Sequence, residues 1–280
     1  MNYDIIGDVH GQHDRLVVLL RTLGYQETMR AWRHPDRTAV FVGDFIDRGP
    51  QQVATVKLVR AMVDTGAAKA IMGNHEFNAI AWATRDPEHP GKRLRRHDRP
   101  GNRRQHQAFL AEVENTALHA EIVAWFKTLP LWLDLGTIRV VHACWSDACI
   151  DRLQPHLGYG ARLTDELIVG ANRKNHWAFD AVETLCKGPE VDLPTGKSFT
   201  DRDGKKRTKA RVHWWEQAAV ARGTRAASPV FFGHYSLDAR PAPMSATLAC
   251  VDYSAGEGGR LVAYRWEGER ELRKTHFLWV

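Results

Sequence analysis

The chain has 280 residues, 44% of them hydrophobic, and a formal net charge of +6 from 39 Lys+Arg against 33 Asp+Glu. That apolar content is enough for a sizeable core and excludes wholesale disorder. No apolar run is long enough to span a bilayer, and the start, Met1-Asn2-Tyr3-Asp4-Ile5-Ile6, lacks the features of a signal peptide, so the expectation is a cytoplasmic protein without a membrane partner.

The first third alternates short apolar strands with amphipathic helices. Asp4-Ile5-Ile6 leads into Gly7-Asp8, and Leu16, Leu19, Leu20 and Leu23 then recur at helical spacing before Gly24. Ala39–Val42 is a second strand and runs into Gly43-Asp44. Val53, Val56, Val59, Met62 and Val63 mark the next helix, which Gly66 stops. Ala68–Met72 is a third strand, ending at Gly73-Asn74. Strand-turn-helix units in series argue for a parallel or mixed sheet, and ligands in such sheets bind at the carboxyl edge of the strands.

The stretch 85–107 breaks this rhythm. It holds seven arginines, one lysine and three prolines, and reads as an exposed basic loop suited to a polyanion. Helices are expected over Arg104–Thr116 and Ala120–Leu129, and a hairpin of Leu131–Leu135 with Ile138–Val141 leads to His142. The region 145–228 reads as a partly helical insertion with a polar stretch at Gly188–Lys209. Strand character returns at Pro229–Phe232, Thr247–Val251 and Leu261–Trp266. No linker divides the chain, so 1–280 is expected to be one domain. The four cysteines form no CxxC pair and read as reduced, mostly buried thiols.

Five polar clusters each follow an apolar strand: Gly7-Asp8-Val9-His10-Gly11, Gly43-Asp44-Phe45-Ile46-Asp47-Arg48-Gly49, Gly73-Asn74-His75-Glu76, Val141-His142-Ala143 and Gly233-His234-Tyr235. Singly, each is a common loop cap or a core histidine. Jointly they supply carboxylate oxygen, amide oxygen and imidazole nitrogen, donors that suit manganese, iron, cobalt, nickel or zinc. Two ions about 3.5–4 Å apart need a ligand that touches both, and a carboxylate is the natural bridge.

This ordered set resembles the phosphoprotein phosphatase branch of the calcineurin-like metallophosphoesterases. The segment between His142 and His234 is more similar to the bacterial relatives, which include diadenosine tetraphosphate hydrolases and RNA-end phosphatases. The resemblance implies an α/β fold of two mixed β-sheets packed as a sandwich and flanked by helices. It implies that Asp8 and His10 bind one divalent ion, that Asn74, His142 and His234 bind a second, and that Asp44 bridges them, with manganese the leading candidate. The implied reaction is hydrolysis of a phosphate ester or anhydride by a metal-bridging hydroxide. His75 is then the candidate general acid, with Asp47 orienting it, and Arg48 a planar fork for phosphate oxygens. Arg211, by its place between the two histidines, is a candidate second phosphate contact. Substrates of dinucleotide or nucleotide type are favoured, with phosphoproteins as the alternative. A polyanion-binding protein with a structural metal is a third reading, disfavoured because such a site needs no acid at His75. The tryptophans between the histidines read first as core packing, with one or two of them lining the substrate mouth and stacking on a base as the alternative.

Overall fold

The computed structural model describes residues 2–200, 206–216 and 228–280. Two mixed sheets form its centre. The first runs in the order Asp252–Tyr253, Arg260–Trp266, Asn2–Ile6, Arg37–Phe41, Ala68–Ala70, and Phe277–Trp279 pairs on Arg260–Trp266 as well. Its last three strands are parallel, with Ile5 beside Val40. The second runs Leu248–Cys250, Val230–Phe232, Arg139–Val141, Trp132–Asp134, and its first three are parallel. This is the fold class expected from the sequence.

Strand alternation decides which layer each side chain joins. Ile5, Val40, Val42 and Ile71 of the first sheet meet Ile138, Val140, Phe231 and Ala249 of the second in a core between the sheets. Their neighbours Ile6, Phe41, Val141 and Phe232 point outward and pack under the helices. Helix His13–Thr22 buries Leu16, Leu19 and Leu20 there. It ends in a Schellman motif, with Gly24 (φ 85°) donating to Arg21 and Tyr25 to Leu20, so this stop is a backbone requirement for positive φ.

The middle of the chain departs from expectation. The helix expected over Arg104–Thr116 is two helices, Pro100–Gln105 and Gln107–Val113, which break at His106 (φ −102°, ψ 7°). Pro100 sits in the first turn of the earlier one, where its missing N–H costs nothing. The next helix begins at Ala117, three residues before the expected Ala120, because Thr116 caps it by accepting from the His119 N–H.

The insertion carries helices Asp147–Leu153, Asp165–Ala171 and Trp177–Lys187. Its polar stretch then pairs, Glu190–Asp192 with Lys209–Arg211 and Phe199–Thr200 with Lys206–Arg207. The remainder of the expected insertion, at 201–205 and 217–227, lies outside the described residues. No helix of the described residues is long and apolar enough to cross a membrane.

Candidate metal centre

Six parallel strands from both sheets end at one edge, and Asp8, Asp44, Asn74, His142, His234 and Asp252 follow within a few residues of those ends. The approach is close. A Cβ on Gly43 would lie 2.5 Å from the Gly73 nitrogen, so only glycine lets the second and third strand ends meet. Glu76 ties the same junction, accepting from the backbone N–H of Asp44 (2.8 Å), Phe45 (2.8 Å) and Gly73 (3.0 Å). Neighbouring loops hold unusual backbone, with positive φ at His10 (47°), Asp44 (53°), Asp47 (70°), Arg48 (71°) and His234 (71°). Such conformations persist where surrounding bonds impose them, and they concentrate at functional sites.

The donor atoms converge. Those of His10, Asp44 and His75 lie within 4.8 Å of one another, as do those of Asp44, His142 and His234. Asp44 is common to both groups. His10 Nδ1 donates to the Ile46 carbonyl (2.9 Å) and His142 Nδ1 to that of Val42 (2.7 Å), so both Nε2 atoms turn inward. Asn74 Oδ1 lies 3.2 Å from His142 Nε2 and 2.6 Å from His234 Nδ1. Asp8 Oδ2 accepts from the His234 N–H (3.0 Å), whereas Asp8 Oδ1 and His234 Nε2 are buried without partners. Buried orphans of this kind ask for a ligand that the protein does not supply. A divalent cation fits the donor chemistry.

The electrostatics agree. Burial, then the nearby His75 and Arg48, push His10 down to about 3, which leaves it neutral and able to ligate. Burial would raise Asp44, but His142 and His75 beside it hold it well below the usual carboxylate range. Burial followed by Asp252 raises Asp8, so those two carboxylates share a site short of positive charge. Burial disfavours a proton on His75, yet Asp44 and Asp47 raise its pKa overall.

Asp8, His10, Asp44, Asn74, His75 and His234 line a cavity of about 440 Å³. Arg48 reaches into it and pairs with Glu257, not with the adjacent Asp47. Arg211 also lines the cavity and donates to the His234 carbonyl (3.2 Å). Arg207, Lys209 and Phe199 from the paired strands of the insertion line it as well. Two candidate substrate contacts raised by the sequence do not reach the cavity. Among the described residues none of the tryptophans lines the cavity, and Trp145 and Trp214 are buried in packing. The basic stretch 85–107 contributes Gln105 to the wall and none of its arginines. That stretch is also not a solvated loop throughout. His106 is buried and lies 2.8 Å from Asp47 Oδ1.

His106, Glu76 and Asp252 have parts here that the sequence signals only thinly. Asp252 follows its strand as Asp8 does, and that was the available cue; it accepts from the Ser236 and Ser254 N–H groups.

A model of the calcineurin-like phosphoesterase family matches residues 1–193. Among curated proteins, the bis(5'-nucleosyl)-tetraphosphatase PrpE (asymmetrical) of Halalkalibacterium halodurans is 46% identical over 76 residues, 27% of this chain and 31% of that protein. The protein of the same name from Oceanobacillus iheyensis is 33% identical over 144 residues, 51% of this chain and 55% of that protein. The chain thus spans between about a third and about half of these relatives. A serine/threonine protein phosphatase from Saccharomyces cerevisiae superposes with a TM-score of 0.60 at 15% identity, over 100% of this chain and 79% of its own. At that identity the likeness bears on the fold alone.

Proposed function

We propose that this chain, which belongs to the calcineurin-like phosphoesterase family, is a metal-dependent hydrolase of phosphate anhydrides and esters that favours dinucleoside polyphosphates. One observation carries the reaction class: Asp44 belongs to two donor groups at once, beside the orphaned Asp8 oxygen. The names of the relatives and the basic wall of Arg207, Lys209 and Arg211 support the substrate class.

In this reading Asp8 and His10 hold one ion, Asn74, His142 and His234 the other, and Asp44 both, with manganese the first metal to try. Bound there, two divalent ions supply a nucleophile at neutral pH and offset charge on the phosphate oxygens. The chain's own groups do the rest. Arg48 offers a bidentate fork, held by its pair with Glu257, and Arg211 lines the same cavity as a second cation. His75 gives its Nδ1–H to Asp47 Oδ2 (2.5 Å), which leaves Nε2 to protonate the leaving oxygen. We assign His75 as acid and not ligand because Asp8, whose Oδ1 is buried without a partner, is left to complete the set of His10 and Asp44.

The test is a metal-screened comparison of diadenosine tetraphosphate, a phosphoserine peptide and 4-nitrophenyl phosphate. The expected result is the highest kcat/KM on the tetraphosphate. Preference for the peptide would make the protein a serine/threonine phosphatase. No phosphate release with metal bound would leave a structural site on a polyanion-binding protein.

A further inference from the structure

We infer that His106 is a positioning residue: through Asp47 it fixes the His75 imidazole in the orientation that delivers a proton to the leaving oxygen. The inference rests on the hydrolytic function proposed for this site. His106 sits at the break between helices Pro100–Gln105 and Gln107–Val113 and is 2% exposed. Its Nδ1 lies 2.8 Å from Asp47 Oδ1, and His75 Nδ1 lies 2.5 Å from Asp47 Oδ2. One carboxylate therefore accepts from two imidazoles. Burial works against its charge, but His106 and His75 together keep Asp47 far below the usual carboxylate range, so it stays an acceptor for both rings.

The two rings have different surroundings. His75 lines the cavity, with Nε2 3.8 Å from Asp44 Oδ2. His106 is not among the residues that line it. Its Nε2 is buried without a partner, and its ring lies against Trp82 and Phe109, with centroids 5.9 and 5.0 Å away. An apolar side chain would suit that aromatic setting better than a ring with an orphaned nitrogen. What the imidazole adds is the bond to Asp47. Donors on both oxygens fix Asp47 about its side-chain torsions, and its backbone N–H, given to Gln52 Oε1 (2.5 Å), fixes the main chain beneath them. Without His106, Oδ1 loses its donor in a buried place. The carboxylate then turns, and the ring of His75 turns with it.

The experiment uses the metal-loaded full chain and compares kcat on an alkyl phosphate, whose leaving oxygen needs a proton, with kcat on 4-nitrophenyl phosphate, whose leaving oxygen does not. His106→Phe keeps a ring and removes the donor; His106→Asn keeps an N–H near the place of Nδ1. The Phe variant is expected to lose about 10–100-fold on the alkyl phosphate and no more than about threefold on the aryl phosphate, and Asn to recover most of the difference. In an Asp47→Ala background the same changes at His106 are expected to cost nothing further, because the path is already cut. Equal losses on both substrates, or losses that add in the double variant, would overturn the inference. Should the Phe variant not fold, the downfield proton spectrum of the metal-free chain decides. Two imidazole N–H signals that both vanish in Asp47→Ala support the arrangement, and a single one sinks it. That spectrum needs no turnover, so a parent inert on every ester would count against the hydrolytic function and not against the link from His106 to Asp47.

Discussion

Two adjacent segments each bring an imidazole to Asp47, and they are held in place by different means. Helix Asn74–Ala83 starts at the cavity floor. His75 is set by regular backbone bonding and by Glu76, whose carboxylate gathers the N–H groups of Gly73, Asp44 and Phe45. The segment 85–107 has little regular structure, and side chains pin it instead. Arg95 donates to Asn78 Oδ1 (2.7 Å) and Gln105 Oε1 (2.5 Å), and His97 stacks on Trp82 at 3.7 Å. The helix side depends on a few fully buried groups, whereas the arm depends on several partly exposed ones. Damage to the first should be large and concentrated, and damage to the second small and distributed.

The largest effect is expected where the helix side meets both donor groups. Asp44→Asn removes the one charge common to them, and should lower kcat by about 10⁴-fold or more and weaken retention of both metals. Turnover and metal content per chain, measured under saturating manganese, check this; near-parental turnover would end the sharing role. His75→Asn comes next. It should cost about 10²–10⁴-fold on an alkyl phosphate and far less on an activated aryl phosphate, with metal content unchanged. Loss of one equivalent of metal in that variant would make His75 a ligand, in keeping with its place in the group of His10 and Asp44.

Stability separates the two segments at the next scale. Glu76→Ala strands three buried backbone N–H groups and is expected to cost more than about 3 kcal/mol. Arg95→Ala removes two bonds from a half-buried guanidinium and should cost about 1–2 kcal/mol. Denaturant midpoints of the two variants, measured metal-free, test the contrast. An Arg95→Ala variant as damaged as Glu76→Ala would show that the arm is as concentrated in its support as the helix.

The same contrast explains what could be read from the sequence. The strand-end clusters were legible because the backbone there demands particular residues: a glycine where two loops nearly touch, as at Gly43 and Gly73, followed by a short polar side chain that faces the edge. The sandwich was legible for a related reason, since alternation along Ile5-Ile6 and Val40-Phe41-Val42 assigns inner and outer faces directly. His106 was not. It lies in a run of charges, whose ordinary meaning is a solvated face, and its burial depends on the path of a whole arm. Pro100 is a helix-start signal within that run, but the density of arginine around it points the other way. The cavity wall was hidden for a similar reason. Gly188–Lys209 is polar and lacks periodicity, yet its ends pair as strands and carry Phe199, Arg207 and Lys209 to the cavity. The tryptophans drew attention to the same insertion, but Trp214 is spent on packing and on the Ala143 carbonyl (3.0 Å).

The smallest expected effect concerns the outward charges of the arm. The composition of 85–107 suggests a recruiting patch, but its cations are partly matched by acids: Arg96 pairs with Asp98 and Arg103 with Glu114. None of its arginines lines the cavity, whereas Arg207 and Lys209 do. Attraction of a polyphosphate falls off over a Debye length of about 8 Å at physiological ionic strength, so charge on the wall should count for more than charge on the arm. Arg207→Ser with Lys209→Ser is expected to lower kcat/KM for diadenosine tetraphosphate by about tenfold at low salt, with the loss shrinking as salt rises and little change on 4-nitrophenyl phosphate. Arg96→Ser with Arg99→Ser should stay within about twofold on both substrates, because surface charges away from the site contribute little. Arg95 is left out of this pair since it holds the arm to Asn78 and Gln105 and would confuse recruitment with support. A salt-dependent loss in the Arg96 and Arg99 variant, specific to the tetraphosphate, would give the arm two roles. Its buried side would position His106 while its outer side gathers substrate, and the division between a helix that serves the chemistry and an arm that only supports it would no longer hold.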